Sequence, residues 1–225
     1  MKRILLFLVI LGAGMFFYNN LRGAKPAVRQ GSGLKVPQGL TPAHDGFSIS
    51  IYAKGLGSPR VLAWDPEGTL LVSIPSQGRI VALADTQVTV ASGLNKPHGV
   101  AFFGNTLYIA ETNTVATYDY DANSHKATNR KKIVDLPGGG NHVTRTIGFG
   151  PGGKLYIAVG SSCNVCVDGE HRAKILIANA DGSGLKEYAS GLRNSVFFTW
   201  HPTTHELWAT EMGRDLIGDD IPPDE

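Results

Sequence analysis

The residues best suited to chemistry lie in one glycine-rich stretch, GGGNHVTRTIGFGPGGKLYIAVG at positions 138–160. His142 follows the glycine run, and Arg145 begins an apolar strand pattern shortly after it. An imidazole can take up or release a proton near neutral pH, which makes His142 a candidate general base. A loop histidine held by hydrogen bonds is the plainer alternative, and the residues by themselves leave both open.

Other reactive or charged groups follow this stretch. Cys163 and Cys166 are the only two cysteines; in an exported chain a local disulfide is expected, with free or redox-active thiols as the alternative. Asp215, Asp219 and Asp220 could bind calcium through their carboxylates, although such a run is also typical of a solvated loop. Neither group identifies a reaction by itself.

These residues are carried by a repeated pattern of short strands. Four segments share one form: a strand with an aromatic residue near its end, a turn, and a strand with a leucine near its start. The aromatic residues are Trp64, Phe102, Phe149 and Trp200, and the leucines are Leu70, Leu107, Leu155 and Leu207. Repeats of about 40–50 residues with several strands each indicate propeller blades. The sequence therefore predicts an all-β propeller.

A propeller brings equivalent positions of successive blades together around its central channel. The residues seven positions before the four aromatic residues are Gly57, Asn95, His142 and Arg193. We therefore expect His142 and Arg193, from adjacent blades, to lie side by side on one face of the ring. A calcium-dependent propeller hydrolase, such as a lactonase, would need carboxylates at these positions, and their absence argues against that class.

The composition and the N-terminal residues indicate which partners and which location to expect for this domain. The chain has 225 residues, 28 of them glycine and 12 proline, and a formal net charge of +2, so no nucleic acid or other polyanion is expected as a partner. Met1-Lys2-Arg3 and the apolar run at 4–18 predict a signal peptide or inner-membrane anchor over 1–23. A linker at 24–45 and a propeller at 46–225 follow. We expect the domain to lie in the periplasm, free or attached to the inner membrane.

Two segments carry a resemblance to a known family. They are GGNHVTRTIGFGPGGKLYIAVGSSCNVC and GLRNSVFFTWHPTTHELWATEMGRDLIGDDIPPDE, which resemble the soluble quinoprotein glucose/sorbosone dehydrogenases, in particular the L-sorbosone type. The resemblance implies a six-bladed propeller that binds pyrroloquinoline quinone (PQQ) and calcium, of which this chain supplies about the first half to two-thirds. The implied reaction oxidises a sugar or sugar aldehyde and passes electrons to a separate acceptor, a cytochrome or the quinone pool.

The resemblance also implies roles for individual residues. His142 matches the family's catalytic base, and Arg193 and Asn194 match an Arg-Asn pair that contacts the quinone. A guanidinium stays cationic and can stabilise negative charge on a quinone oxygen. Arg145 is a further candidate for cofactor contact, with a structural role as the alternative.

The calcium site and two departures from the family pattern complete these expectations. Gly213 and Arg214 match the position of two calcium-binding carbonyls, and Asp224 falls where the family has an acid.

Glucose-oxidising relatives orient the histidine with an aspartate, whereas residue 161 is a serine, whose hydroxyl could accept the imidazole N–H but brings no charge. Further cofactor ligands are expected beyond Glu225. We therefore expect a truncated dehydrogenase that binds the quinone poorly, with a non-catalytic propeller or an inactive fragment as the alternative.

Overall fold

Each of the four repeated segments folds as an antiparallel hairpin, as the repeat predicts. The four hairpins are β1 (Leu62–Trp64) with β2 (Leu70–Ile74), β5 (Gly99–Phe103) with β6 (Thr106–Glu111), β9 (Arg145–Phe149) with β10 (Leu155–Val159), and β13 (Phe198–Trp200) with β14 (Leu207–Ala209). In every hairpin the aromatic residue pairs directly with the leucine that follows it, from Trp64 with Leu70 to Trp200 with Leu207. The spacing in the sequence is therefore the register of the strands.

Outer strands extend three of the hairpins into four-stranded antiparallel sheets, which are the blades. These strands are β3 (Arg79–Leu83), β4 (Gln87–Ala91), β7 (Thr114–Asp121), β8 (Lys126–Asp135), β11 (Lys174–Ala178) and β12 (Lys186–Ala189). Each blade runs in sequence order, with its first strand innermost, while β13 and β14 form a two-stranded sheet. The predicted all-β propeller is confirmed, and blades 1, 2 and 3 and the first hairpin of blade 4 are present among the described residues.

The computed structural model describes residues 51–216. The predicted signal or anchor segment at 1–23 and the linker at 24–45 lie outside them, as do Asp219, Asp220 and Asp224. Within 51–216 there is no helix long and apolar enough to cross a membrane.

Apolar clusters between neighbouring blades form the core. Leu71, Ile80, Leu107 and Ile109 pack together between blades 1 and 2 and are fully buried. A second cluster joins blades 2 and 3, and there the inner strands approach so closely that a Cβ on Gly99 would lie 2.6 Å from the Arg145 carbonyl oxygen. The core therefore fixes where the loops that precede β5 and β9 emerge.

One polar contact also joins blades 1 and 2. Asp65, in the turn between β1 and β2, is only 5% exposed, and its carboxylate accepts the Thr69 N–H at 2.7 Å. Its other oxygen accepts the hydroxyl of Tyr120 from β7 at 2.8 Å. Burial and this bond to Asp65 together raise the pKa of the Tyr120 phenol, which remains a donor at any physiological pH.

Replacing Tyr120 by phenylalanine tests this inter-blade bond. Tyr120→Phe removes the hydroxyl that donates to a buried carboxylate oxygen, and we expect the free energy of unfolding to fall by about 1–3 kcal/mol. Urea denaturation followed by tryptophan fluorescence measures the change. Tyr188→Phe, on a tyrosine that is 48% exposed, is the control and should change stability by less than about 0.5 kcal/mol. Equal effects from the two variants would show that the Asp65 contact contributes nothing specific.

Candidate functional site

The loop at 137–144, which carries His142, is held through its backbone carbonyls. Arg145 donates to the carbonyl oxygens of Pro137, His142 and Thr144, each at 2.8 Å.

Two other side chains hold the rest of the loop. Arg172 donates to the Gly138 and Gly139 oxygens at 2.6 and 3.2 Å. The Thr112 hydroxyl donates to the Val143 oxygen at 3.1 Å. A glycine-rich segment with high conformational entropy is thereby fixed without secondary structure.

A backbone carbonyl orients the imidazole of His142. Nδ1 lies 2.8 Å from the carbonyl oxygen of Ser161, and a carbonyl can only accept, so Nδ1 carries the hydrogen. Nε2 consequently keeps its lone pair. The serine hydroxyl, which the sequence suggested as the acceptor, instead donates to the carbonyl of Cys163. The Ser161 carbonyl therefore orients the ring at the position where the family pattern has an aspartate.

Gly160 brings His142 and Asn194 together. A Cβ at this position would lie 2.6 Å from the Cβ of His142 and would overlap the side-chain oxygen of Asn194. Any residue with a Cβ would clash there, so only glycine allows these two candidate residues from adjacent blades to come so close.

Arg193 lies beside the same loop. The N–H of Ser161 donates to the Arg193 carbonyl at 2.7 Å, so Ser161 contacts both His142 and Arg193. The predicted convergence of these two repeat positions is thus present in the fold. The Arg193 guanidinium, 11% exposed, bonds the Asp215 carboxylate at 2.5 Å and the Met212 carbonyl at 3.1 Å.

Two glutamates that the sequence reasoning missed fix the equivalent loops of blades 2 and 4. Glu111 accepts the backbone N–H of Asn95 at 2.6 Å, and Glu211 accepts those of Arg193 and Asn194 at 2.5 and 2.7 Å. Both glutamates stand four residues after the paired leucine, in TLYIAE and ELWATE, so the repeat contained the signal.

Blade 3 departs from this arrangement at the corresponding position. It has Val159, followed by Gly160, where blades 2 and 4 have a glutamate. The loop around His142 is instead held by cationic and hydroxyl donors acting on carbonyls. The loop that carries the imidazole therefore has a cationic anchor, whereas the equivalent loops of blades 2 and 4 have anionic ones.

Arg145 is the main element of that cationic anchor. It is fully buried, and burial together with the nearby charge of Arg172 lowers its pKa to about 10, which leaves it protonated at neutral pH. Within 51–216 no carboxylate forms an ion pair with it, and the three carbonyls stabilise its charge. Its guanidinium bonds the carbonyls of its own loop, which is the structural role given as the alternative, and its contact with a cofactor stays a prediction.

The residues predicted to bind calcium are divided by the limits of the described chain. Gly213 and Arg214 lie in the irregular segment after β14, beside Asp215, while Asp224 is outside the described residues. No cluster of three or more histidine, cysteine, aspartate or glutamate side chains occurs within 51–216. The assignment of the two carbonyls stays a prediction.

Cys163 and Cys166 form the predicted disulfide. The bridge lies in the loop at 161–168, whose far end is fixed by Asp168 accepting the Ser162 N–H at 2.9 Å. Burial acts to raise the pKa of Asp168, but the hydrogen bonds from Ser162 and the charge of Arg172 outweigh it and lower the pKa. The carboxylate therefore stays ionised and keeps the loop closed.

A model of the TrAA12-like family matches residues 41–220, which is most of the chain. The chain belongs to this family. Its Hypocrea jecorina relative, described as a pyrroloquinoline quinone-dependent sugar dehydrogenase, is 24% identical over 212 residues, covering 81% of this chain and 49% of the relative. The chain thus spans about half the length of the relatives that it matches.

Solved structures similar to this TrAA12-like chain share its fold. The calcium structure of Trichoderma reesei Carbohydrate-Active Enzymes Family AA12 aligns with a TM-score of 0.67 and 24% identity, over 77% of this chain and 50% of that one. The holo form of the Coprinopsis cinerea pyranose dehydrogenase PQQ domain aligns with a TM-score of 0.64 and 24% identity, over 72% and 45%. These likenesses support the propeller assignment.

His98 of the TrAA12-like domain is a buried histidine in the core beside the site. It is 1% exposed, and its ring packs on Phe197 with centroids 5.5 Å apart. Burial, and secondarily the charge of Arg60, lowers its pKa to about 4. The folded protein therefore holds this imidazole neutral where an unfolded chain would protonate it.

Replacing Gly160 tests whether the close approach of His142 and Asn194 is required. We expect Gly160→Ala to force these side chains apart and to lower the free energy of unfolding by about 1–3 kcal/mol, as overpacking does. Gly169→Ala is the matched control, because a Cβ there meets nothing within 4 Å. Denaturant titration and the NMR signals of His142 and Asn194 measure both effects. Wild-type signals in Gly160→Ala would show that the space is not tight.

The pH dependence of stability tests the neutral state of His98. Between pH 4 and 6.5 the unfolded chain binds a proton at this residue that the folded chain does not, so stability rises with pH in that window. The contribution is about 3 kcal/mol at most, and it is lost as the pH falls from 6.5 towards 4. His98→Gln should flatten this slope, and His205→Asn on an exposed loop should not. A wild-type slope in His98→Gln, measured by denaturation at several pH values, would contradict the assignment.

Proposed function

We propose that this chain is a PQQ-dependent dehydrogenase of sugars or sugar aldehydes, of the sorbosone or aldose type, with His142 as general base. The observation that carries the proposal is the Nδ1–H bond from His142 to the Ser161 carbonyl, because it leaves Nε2 as a fixed proton acceptor. Membership of the TrAA12-like family and the descriptions of its relatives support the class of reaction.

The donor set next to His142 suits an anionic quinone. Asn164 and Met212 hold the Arg193 guanidinium, and its carboxylate partner, Asp215, is exposed, so an oxyanion of the quinone would take the place of this carboxylate. The Asn194 amide lies beside it, and Gly160 leaves room where any side chain would intrude. Arg193 and Asn194 would hold PQQ, and PQQ when bound supplies the carbonyl that accepts a hydride.

Calcium fits the chemistry of the segment at 213–215. Calcium prefers oxygen ligands, and this segment offers the Gly213 and Arg214 carbonyls and the Asp215 carboxylate. The solved calcium structure of the Trichoderma reesei relative supports an ion in this family. Asp224 remains a proposed acidic neighbour of the site.

The protein's own part in the reaction is to position groups and to move a proton. The Ser161 carbonyl fixes the His142 tautomer, and Nε2 takes the proton of the sugar hydroxyl as its carbon is oxidised. The carbonyl bonds of Arg145 and Arg172 keep the loop from rearranging when the imidazole becomes charged. The electrons then pass to a separate acceptor, a cytochrome or the quinone pool, in the periplasm or at the inner membrane.

Reconstitution tests this function. The chain is incubated with PQQ and calcium, a panel of aldoses and sugar aldehydes is added, and reduction of a dye acceptor is followed. We expect weak but measurable quinone uptake and slow sugar-dependent reduction, and His142→Ala should lower kcat by at least about 100-fold because the proton acceptor is lost. His205→Asn controls for the loss of a histidine as such. No quinone uptake by the wild type, or equal rates in His142→Ala, would refute the proposal.

A further inference from the structure

Asn164 uses its side chain and its backbone carbonyl to bind two other segments. Its side-chain oxygen accepts Nη2 of Arg193 and the N–H of Asp215, both at 2.9 Å. Its amide nitrogen donates to the Asp215 carbonyl at 2.9 Å, and its backbone oxygen accepts Nε of Arg193 at 3.1 Å. One residue thus binds the Nε and Nη2 edge of the Arg193 guanidinium and also the segment that follows β14.

The same loop holds the segment that carries His142. Ser161 accepts Nδ1 of His142 through its carbonyl, and Ser162 accepts the N–H of Asn141 at 2.8 Å. The loop at 161–168 therefore contacts His142 at its start and Arg193 at its tip.

Packing does not hold this loop in place. Val165 is 61% exposed and Val167 is 105% exposed, so its apolar side chains contribute little burial. The covalent restraint is the bridge between Cys163 and Cys166, which closes a ring with Asn164 inside it. The ring limits the positions that the Asn164 backbone oxygen and side chain can take.

We propose that the disulfide-closed loop at 161–168 is the positioning element that sets His142 and Arg193 relative to each other, with Asn164 as the positioning residue for Arg193. Asn164 needs no contact with substrate or cofactor for this role. The functional importance of the two positioned groups rests on the proposed dehydrogenase function, whereas the mechanical coupling between them does not.

The first test measures what the Asn164 side chain contributes to holding Arg193 in the full chain. Asn164→Ala removes the side-chain acceptor of the Arg193 Nη2–H and leaves the backbone acceptor of Nε–H in place, so we expect hydrogen exchange at Arg193 Nη2, followed by NMR at low temperature, to accelerate by about tenfold or more. Asn164→Asp keeps an acceptor oxygen for Arg193 and should stay within about threefold of the wild type. Asn179→Ala, in an exposed turn outside the site, is the matched control and should change nothing. Wild-type exchange in Asn164→Ala would overturn the role of this residue.

The second test addresses the coupling through the ring. The double variant Cys163→Ser with Cys166→Ser should change both the exchange of the Arg193 Nε–H and the imidazole nitrogen shifts of His142, which report its tautomer. A thermal unfolding scan shows whether the blades remain intact. If the double variant does not fold, Asn164→Ala alone decides. Unchanged signals at both residues in a folded double variant would overturn the proposal.

Titration with PQQ and calcium distinguishes this inference from the proposed function. Quinone binding about tenfold weaker in Asn164→Ala, with a wild-type unfolding midpoint, is the expected result. If the wild type binds no quinone but the NMR signals change as described, the proposed function fails and the positioning role stands. If the wild type binds quinone and the loop variants bind equally well with unchanged signals, the positioning role fails and the proposed function stands.

Discussion

A single backbone carbonyl, that of Ser161, determines what the candidate site can do. It accepts the Nδ1–H of His142 and so selects one tautomer of the imidazole, while the N–H of the same residue bonds the Arg193 carbonyl. A main-chain acceptor has no charge to lose and no rotamer to change, so the imidazole is oriented without a carboxylate. The other features of the site serve to keep this carbonyl and this ring in place.

The loop that carries His142 is anchored differently from the equivalent loops of the two neighbouring blades. Blades 2 and 4 tie their channel loops down with Glu111 and Glu211, whose carboxylates accept backbone N–H groups. Blade 3 has no acid there and uses guanidinium groups on carbonyls instead, with Arg145 buried beneath the loop. Under the proposed function, the guanidinium groups beneath His142 would favour an anionic cofactor. The imidazole therefore stands on a loop with a cationic anchor, between two blades whose loops have anionic ones.

Much of the fold could be predicted because the pairing of Trp64 with Leu70, and of its three equivalents, is encoded by spacing alone. The convergence of His142 and Arg193 followed from the same repeat. The groups that each side chain bonds could not be predicted, because they depend on which carbonyls the folded loop presents. Arg145 at the start of a strand could equally have faced the channel, and only the path of the loop at 137–144 turns its guanidinium inwards. Asn164 gave no signal at all, because its four bonds join segments far apart in the chain.

The bridge between Cys163 and Cys166 gives the site a maturation step that is separate from folding of the blades. The sheets are held together by apolar burial, whereas the ring around Asn164 closes only where thiols are oxidised. A chain with folded blades and reduced cysteines would lack the covalent closure around Asn164. Under the proposed positioning role, His142 and Arg193 would then be less firmly set relative to each other until the two thiols were oxidised.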